Sequence, residues 1–210
     1  FVVAPHHMRE FFQEKINAEM EAAKAGKPSG ITVKINSLVD PALIFKLYEA
    51  SQAGVKVEMI VRGICCLLPG VEGVSENIHV ISIVGQLLEH SRIFKFENGG
   101  EPQVYIGSAD WMQRNLDRRI ELVFPVLDET LKKRVVSFLD IQLKDNYNAR
   151  ELHADEKYQR ISRRGKKKVH SQMLLYEEAK KRLKAAQALS KSEPFTPVHT
   201  AGAEKKQQKE

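Results

Sequence analysis

The chain has 210 residues, of which 42% are hydrophobic, so it can bury a sizeable core, and we expect one domain with appendages. No apolar run approaches the roughly 20 residues of a membrane-spanning helix. The two cysteines, Cys65 and Cys66, are neighbours, which excludes a disulfide framework and favours a reducing, cytoplasmic compartment. The chain opens on Phe1 without a leader sequence, and we expect a fragment of a longer protein.

The basic excess is confined to one segment. Residues 1–148 contain 17 basic and 19 acidic side chains, residues 149–191 contain 13 and 5, and residues 192–210 are balanced. This distribution predicts a local surface for a polyanion rather than a globally basic nucleic-acid binder, and we expect no nucleic-acid partner.

The first third of the chain reads as helix, strand, helix, strand. Apolar residues at three- and four-residue steps predict a helix from about Pro5 to Ala25, and alternation predicts a strand from Ile31 to Ile35. Asp40 and Pro41 are typical of a helix start, and the helix should run to Ala53. A strand follows at residues 55–61. The unit predicts parallel strands, with Arg62 at the carboxyl edge where α/β sheets usually bind ligands.

The centre of the chain predicts a strand, a short helical link and a β-hairpin. The strand covers residues 78–84, and the hairpin covers 90–106 with Asn98-Gly99-Gly100 as its turn. By alternation, His90 and Arg92 should share one strand face, so that one anion could meet both. Another strand at 120–124 and a helix from Asp128 to residue 144 complete this part.

From Arg150 the pattern changes to a basic loop at 162–168 and a helix from Ser171 to about residue 188. We therefore predict three regions: a catalytic domain at 1–148, a basic loop and C-terminal helix at 149–189, and a disordered tail at 190–210.

Several residue types could serve phosphate chemistry. His90 could act as nucleophile, acid or base, and Arg62 and Arg92 could neutralise phosphate. The small residues Gly107 to Asp110 precede a predicted helix start, where backbone amides could meet an anion. The alternative in each case is a solvated surface residue or a structural turn.

Other motifs favour simpler interpretations. His6-His7 lacks a third metal ligand, and Asp110, Asp117 and Glu121 could hold magnesium but are more typical of surface carboxylates. There is no GxxxxGK[ST] loop, GxGxxG fingerprint or HExxH motif. The basic residues 163–168 could bind nucleic acid, polyphosphate or acidic lipid, or could form a solvated loop.

Taken together, the motifs resemble the carboxyl-terminal part of bacterial polyphosphate kinases. The resemblance extends almost continuously from Ile35 to Leu127 and ends with the segment RRGKKKVHSQ further along the chain. Within 35–127 it is carried by the stretches INSLVDP, YEASQAGVKVE, VRGICCL, SENIHVISIV, LEHSRIFKFENGG and YIGSADWMQRNLDRRIE.

The resemblance implies an α/β fold similar to phospholipase D, a mixed β-sheet flanked by helices. Phospholipase D enzymes pair two domains, each with a His-x-Lys motif. Here Arg92 occupies the lysine position, and Asp110 stands near the place of a motif asparagine. These differences argue against a phosphodiesterase that pairs two His90 sites, which is one alternative function. A non-catalytic polyanion-binding module centred on Arg163 to Lys168 is another.

For a polyphosphate kinase, the resemblance implies reversible transfer of the terminal phosphate of ATP to polyphosphate through a phosphohistidine upstream of Phe1. It implies nucleotide contacts from Arg62 and His90, with His90 catalytic. Arg92, Ser108 and Asp110 would shape the phosphate half-site. Magnesium would be held by residues outside this chain. The expected partners are ATP or ADP, polyphosphate, the rest of the parent chain and further copies of the enzyme. Membrane association of the full-length enzyme is compatible with this interpretation.

Overall fold

The computed structural model describes the backbone of residues 1–190 and the side chains of residues 1–188. Residues 1–174 form one compact unit, and the second unit begins at Leu175 within the last helix. The helices are α1 (Met8–Lys24), α2 (Pro41–Gln52), α3 (Glu129–Leu143) and α4 (Ser171–Ser190). The strands are β1 (Val2–Ala4), β2 (Ile31–Ile35), β3 (Val57–Val61), β4 (Ile78–Ile83), β5 (Arg92–Phe96), β6 (Gln103–Gly107), β7 (Glu121–Pro125), β8 (Ala149–Leu152) and β9 (Tyr158–Arg160).

The nine strands found within residues 1–190 belong to one mixed sheet in the order β1-β7-β6-β5-β2-β3-β4-β8-β9. Strands β2 and β3 are parallel, as the β-α-β pattern predicted. Strand β4 also pairs parallel with β3, and every other pairing of strands is antiparallel. The hairpin β5–β6 therefore extends the parallel centre on one side, and β8 extends it on the other.

Helix starts follow from local chemistry. Asp40 accepts a hydrogen bond from the backbone amide of Leu43 at 3.1 Å and caps α2. Asp128 caps α3 in the same way, through the amide of Leu131 at 2.8 Å. Both predicted caps are confirmed, because each carboxylate satisfies an amide that the first helical turn leaves unpaired.

The sheet has an apolar cluster on each face. One contains Met8, Phe12 and Ile16 of α1 and Leu43 and Leu47 of α2, together with the inward side chains of the central strands. The other lies under α3 and contains the residues Ile60, Ile81, Ile93, Val104 and Leu139. Helices thus flank a mixed sheet on both faces, as predicted. None of the helices within residues 1–190 is long and apolar enough to cross a bilayer.

Trp111 is the largest fully buried side chain of the first cluster. Its ring stacks on Phe94 with a centroid distance of 5.8 Å and meets Phe12 edge-on at 5.2 Å. Its backbone carbonyl accepts from the amides of Val39 and Asp40, which joins the β6–β7 connection to the start of α2. Aromatic packing therefore fixes the turn that precedes it in the sequence.

The structure differs from the predicted elements in four places. Strands β1, β8 and β9 were not predicted, and the sheet continues past residue 148 through β8, where a basic loop and helix were expected. Residues 84–91 form an irregular loop and not a helical link, and residues 114–118 form a single π-helical turn. The predicted disorder of 190–210 falls almost entirely outside the described residues.

Candidate anion-binding site

Polar side chains collect at one edge of the sheet, where β2, β3 and β4 end. The register pairs Lys34 of β2 with Ile93 of β5, so the start of β5 lies beside the end of β2. Arg92 is paired in turn with Gly107, the last residue of β6. The residues that follow β2, β3 and β6 therefore converge with the residues that precede β5, as is usual for ligand sites of open sheets.

A hydrogen-bonded network joins two guanidinium groups at this edge. Arg92 donates to Asp110 through Nη2 at 2.9 Å and Nε at 3.3 Å. Asp110 also accepts from the Asn36 backbone amide at 2.7 Å and from its side-chain amide at 3.3 Å. The side-chain oxygen Oδ1 of Asn36 accepts from Nε of Arg62 at 2.9 Å. Asn36 and Asp110 are buried, so they hold both cations in fixed positions.

Arg62 is oriented through one nitrogen only. Its Nε atom donates to Asn36, whereas no hydrogen bond joins Nη1 or Nη2 to any side chain or backbone group within residues 1–188. The side chain is half-buried. The terminal donors are the part of a guanidinium that recognises phosphate, so the orientation leaves them for an anion.

His90 is exposed and lies in the loop before β5, not on the strand. Strand alternation therefore does not set its orientation, and the predicted shared face with Arg92 does not apply. The two residues are linked instead through the backbone, because Nη1 of Arg92 donates to the His90 carbonyl at 2.9 Å. The imidazole makes no hydrogen bond with the described residues.

Lys34 is a member of the site that the sequence interpretation missed. Its side chain is 2% exposed, and its Nζ atom lies 3.5 Å from a Glu89 carboxylate oxygen and 3.3 Å from the Ser91 carbonyl. Burial lowers the pKa of Lys34, Glu89 raises it, and the charges of Arg62 and Arg92 lower it further. The available signal was a lysine next to the last residue of a strand that ends at this edge.

Three cations thus share one edge with two carboxylates. Lys34, Arg62 and Arg92 contribute the positive charge, and Glu89 and Asp110 contribute the negative charge. The excess of positive charge, next to an exposed imidazole, is suited to a phosphate group.

Ser108 belongs to a neighbouring network. Its hydroxyl donates to Glu121 and accepts from the backbone amide of Leu122 at 3.1 Å. Asn115 donates to the other Glu121 oxygen at 2.5 Å. A Cβ at Gly107 would lie 2.3 Å from the Leu122 carbonyl, so only glycine fits this crossing. These contacts tie the turn to β7 and do not join Ser108 to Arg62 or Arg92.

The described residues do not fit a magnesium site. Asp110 is occupied by Arg92 and Asn36, Asp117 by Arg9, and Glu121 by Ser108 and Asn115. No cluster of three or more metal-ligating side chains occurs within the described part of the chain. The carboxylate oxygens of Asp110, Asp117 and Glu121 are already paired with donors, so these residues offer a magnesium ion no shared set of open ligands.

The basic segment, residues 160–168, is anchored near the same edge. Asn146 donates to the Lys167 carbonyl at 2.9 Å and accepts from the Val169 amide at 2.8 Å. The Lys168 ammonium lies 3.9 Å from the centre of the Tyr147 ring. No ion pair joins the segment to a carboxylate within residues 1–188, although it contains six cations: Arg160, Arg163, Arg164, Lys166, Lys167 and Lys168.

Fold and site together define a phospholipase D-like α/β domain with a cationic edge. A solved structure of the phospholipase D family member Nuc from Salmonella typhimurium superposes with a TM-score of 0.52 and 14% identity, covering 72% of this chain and 95% of that one. At this identity the likeness establishes the fold alone.

The chain belongs to the polyphosphate kinase family, since a model described as "Polyphosphate kinase C-terminal domain 2" matches residues 1–172. Its curated relatives include polyphosphate kinases from Lactiplantibacillus plantarum, 48% identical over 183 residues, and from Pseudomonas aeruginosa, 52% identical over 162 residues. These alignments cover 87% and 77% of this chain, and 26% and 24% of the relatives.

A solved structure supports the same assignment. The polyphosphate kinase from Porphyromonas gingivalis superposes with a TM-score of 0.84 at 42% identity, covering 88% of this chain and 28% of that chain. The chain therefore spans about a quarter of the length of the family members that it matches.

Proposed function

We propose that this domain supplies the nucleotide- and phosphate-binding half-site of a polyphosphate kinase, which reversibly transfers the terminal phosphate of ATP to polyphosphate. The observation that carries the proposal is the buried Asn36–Asp110 pair, which orients Arg62 and Arg92 at one edge of the sheet. ATP or ADP and polyphosphate are the proposed ligands. The remaining part of the enzyme and further copies of it are the proposed partners, in the cytoplasm.

The chemistry follows from charge. In the proposed reaction a histidine nitrogen outside this chain attacks the terminal phosphorus of ATP, and the bond to the bridging oxygen breaks to release ADP. The terminal oxygen of polyphosphate then attacks the phosphohistidine and displaces the histidine nitrogen. Both steps place negative oxygens where fixed cations stabilise them.

Each residue of the edge has a role in this scheme. Arg62 binds the nucleotide phosphates through its terminal nitrogens, because its Nε atom is already held by Asn36. His90 contacts the transferred phosphoryl group or protonates its oxygen from the exposed loop. Arg92 maintains the loop carbonyl of His90 and the Asp110 carboxylate in place. Ser108 acts indirectly, by fixing the turn that carries Asp110.

The first test is ATP binding to Arg62→Ala. We expect the variant of this chain to bind ATP at least ten-fold more weakly in calorimetric titration, because a hydrogen-bonded charge contributes about 1.5–3 kcal/mol. In a polyphosphate kinase that carries this domain, the KM for ATP should rise correspondingly.

Lys27→Ala is the matched control. Lys27 is an exposed cation that follows α1 and packs near the turn of the β5–β6 hairpin, at the opposite edge of the sheet. Its loss changes the net charge by the same amount and should leave ATP affinity within two-fold. Equal affinities for the Arg62→Ala and wild-type proteins would contradict the proposal.

A further inference from the structure

A buried cation contacts the residues on both sides of His90. Lys34 is the fourth residue of β2, with a side chain that is 2% exposed. Its Nζ atom lies 3.5 Å from the carboxylate of Glu89 and 3.3 Å from the carbonyl of Ser91. His90 stands between these two anchors in the sequence and is itself exposed.

The Glu89 carboxylate is held from two further elements. Gln142, near the end of α3, donates to one oxygen at 2.8 Å. Gln172, at the start of α4, donates to the other oxygen at 3.3 Å and to the Leu87 carbonyl at 2.8 Å. The carbonyl oxygen of Gln172 accepts from the Leu87 amide at 3.1 Å. The loop is therefore held at Leu87 through its backbone and at Glu89 through its side chain.

The same loop also approaches the ends of two neighbouring side chains at Gly85. A Cβ at this position would lie 2.5 Å from Oε1 of Gln172 and 2.6 Å from Nδ2 of Asn148. The segment from Gly85 to Glu89 is thus fitted to its neighbours, although it has no regular secondary structure. Such contacts from three elements fix a loop more firmly than any single hydrogen bond.

We propose that Lys34 is a positioning residue for His90, acting through Glu89 and the Ser91 carbonyl. This inference rests on the function proposed above, in which His90 contacts the phosphoryl group. A buried ion pair contributes little net stability compared with an apolar pair of similar volume. The physical reason for a desolvated lysine here is therefore the geometry of the loop, which carries His90 at the sheet edge where its carbonyl accepts from Arg92.

The experiment is a double-mutant cycle in a polyphosphate kinase that carries this domain. The variants are Lys34→Met, His90→Ala and the double mutant, with kcat and the KM for ATP measured by a radiolabelled assay. His90→Ala should lower kcat about 100- to 1000-fold, as for loss of one electrostatic donor. Lys34→Met should lower kcat at least ten-fold, with the KM for ATP within two-fold of wild type.

The double mutant separates positioning from a general structural effect. If Lys34 acts through His90, adding Lys34→Met to His90→Ala lowers kcat by less than two-fold further. Lys95→Met is the matched control, since Lys95 is a partly buried strand lysine that pairs with Glu97 near the opposite edge. It should leave kcat within two-fold of wild type.

Gln172→Ala provides a second approach that leaves β2 intact, and it remains informative if Lys34→Met fails to fold. It should also lower kcat in the wild-type background and have no further effect with His90→Ala. Additive losses of kcat in the double mutants, or an unchanged kcat in both Lys34→Met and Gln172→Ala, would overturn the positioning role of Lys34. Either result would leave the proposed function intact. Full activity of His90→Ala would instead contradict the proposed function, and this inference with it.

Discussion

Asp110 is the residue on which the geometry of the site depends. Its carboxylate is 9% exposed, pairs with a 13% exposed Arg92 and accepts from both amides of Asn36. A charge in this setting is compensated only while every partner is present. Asp110 therefore acts as the centre of an ion-paired network.

Removal of this carboxylate should destabilise the fold strongly. Asp110→Ala leaves Arg92 and the Asn36 amide without their acceptor, and we expect a loss of about 3–5 kcal/mol in the free energy of unfolding. The matched control is Asp117→Ala, which removes a carboxylate that is 41% exposed and pairs with Arg9. This substitution should lower the free energy of unfolding by about 1 kcal/mol or less, with both variants measured by urea titration. Equal losses of stability in the two variants would argue against the buried network.

At the scale of elements, His79 links three strands. Its Nδ1 atom lies 3.4 Å from Glu58 of β3, and its Nε2 atom lies 3.2 Å from Glu151 of β8. The hydrogen bond with Glu58 raises the pKa of His79, against partial burial and the charge of Lys56. The same bond, with help from Lys56, lowers the pKa of Glu58 to about 2.

The stability contribution of His79 should depend on pH. A raised pKa means that the folded chain binds the proton more tightly, so the contribution is complete below an ordinary histidine pKa of about 6.5. It is lost as pH rises through the raised value. His79→Gln should therefore destabilise the chain most at pH 5.5 and least at pH 9 in urea unfolding. A difference that grows with pH would contradict this assignment.

The basic segment is a second element whose role is testable. Replacing Arg163, Arg164, Lys166, Lys167 and Lys168 with glutamine should weaken polyphosphate binding and reduce its salt dependence, because these charges attract a polyanion over a screened distance of about 10 Å. The KM for ATP should change less than two-fold. Glutamine substitutions at Lys180, Lys181 and Lys184 are the control for a general charge effect.

This experiment also distinguishes the functional alternatives. A non-catalytic polyanion module predicts that the segment alone accounts for binding and that His90→Ala has no effect. A phosphodiesterase predicts hydrolysis of a diester model substrate, which the pairing of Arg92 with Asp110 does not favour. The proposed kinase function predicts that the Arg62 variant weakens binding of ATP, whereas the variant of the basic segment weakens binding of polyphosphate.

At the scale of the whole molecule, the domain holds only part of the proposed reaction centre. It presents Arg62, His90 and Arg92 at one sheet edge, and in the proposed reaction the phosphorylated histidine lies outside this chain. We therefore expect the 210-residue chain to bind ATP or polyphosphate weakly and to produce no polyphosphate. Synthesis by the purified chain, at any rate proportional to its concentration, would refute this division of roles.

The sequence by itself determined the local elements and the residue types of the site. Alternation, the caps Asp40 and Asp128 and the Asn98-Gly99-Gly100 turn predicted most helices and strands, because these signals depend on near neighbours. The β-α-β pattern placed Arg62 at the carboxyl edge, and the family resemblance singled out His90.

Only the tertiary structure decided which of these groups meet. Strands β1 and β8 are short, and they exist because β7 and β4, which are distant in the sequence, offer pairing partners; β9 then pairs with β8. Lys34 reads as the solvent side of an alternating strand, but α3 and the 84–91 loop cover that side. The orientation of Arg62 and Arg92 depends on Asn36 and Asp110, which are 74 residues apart in the chain. Such contacts follow from packing and charge compensation between elements, which no local pattern specifies.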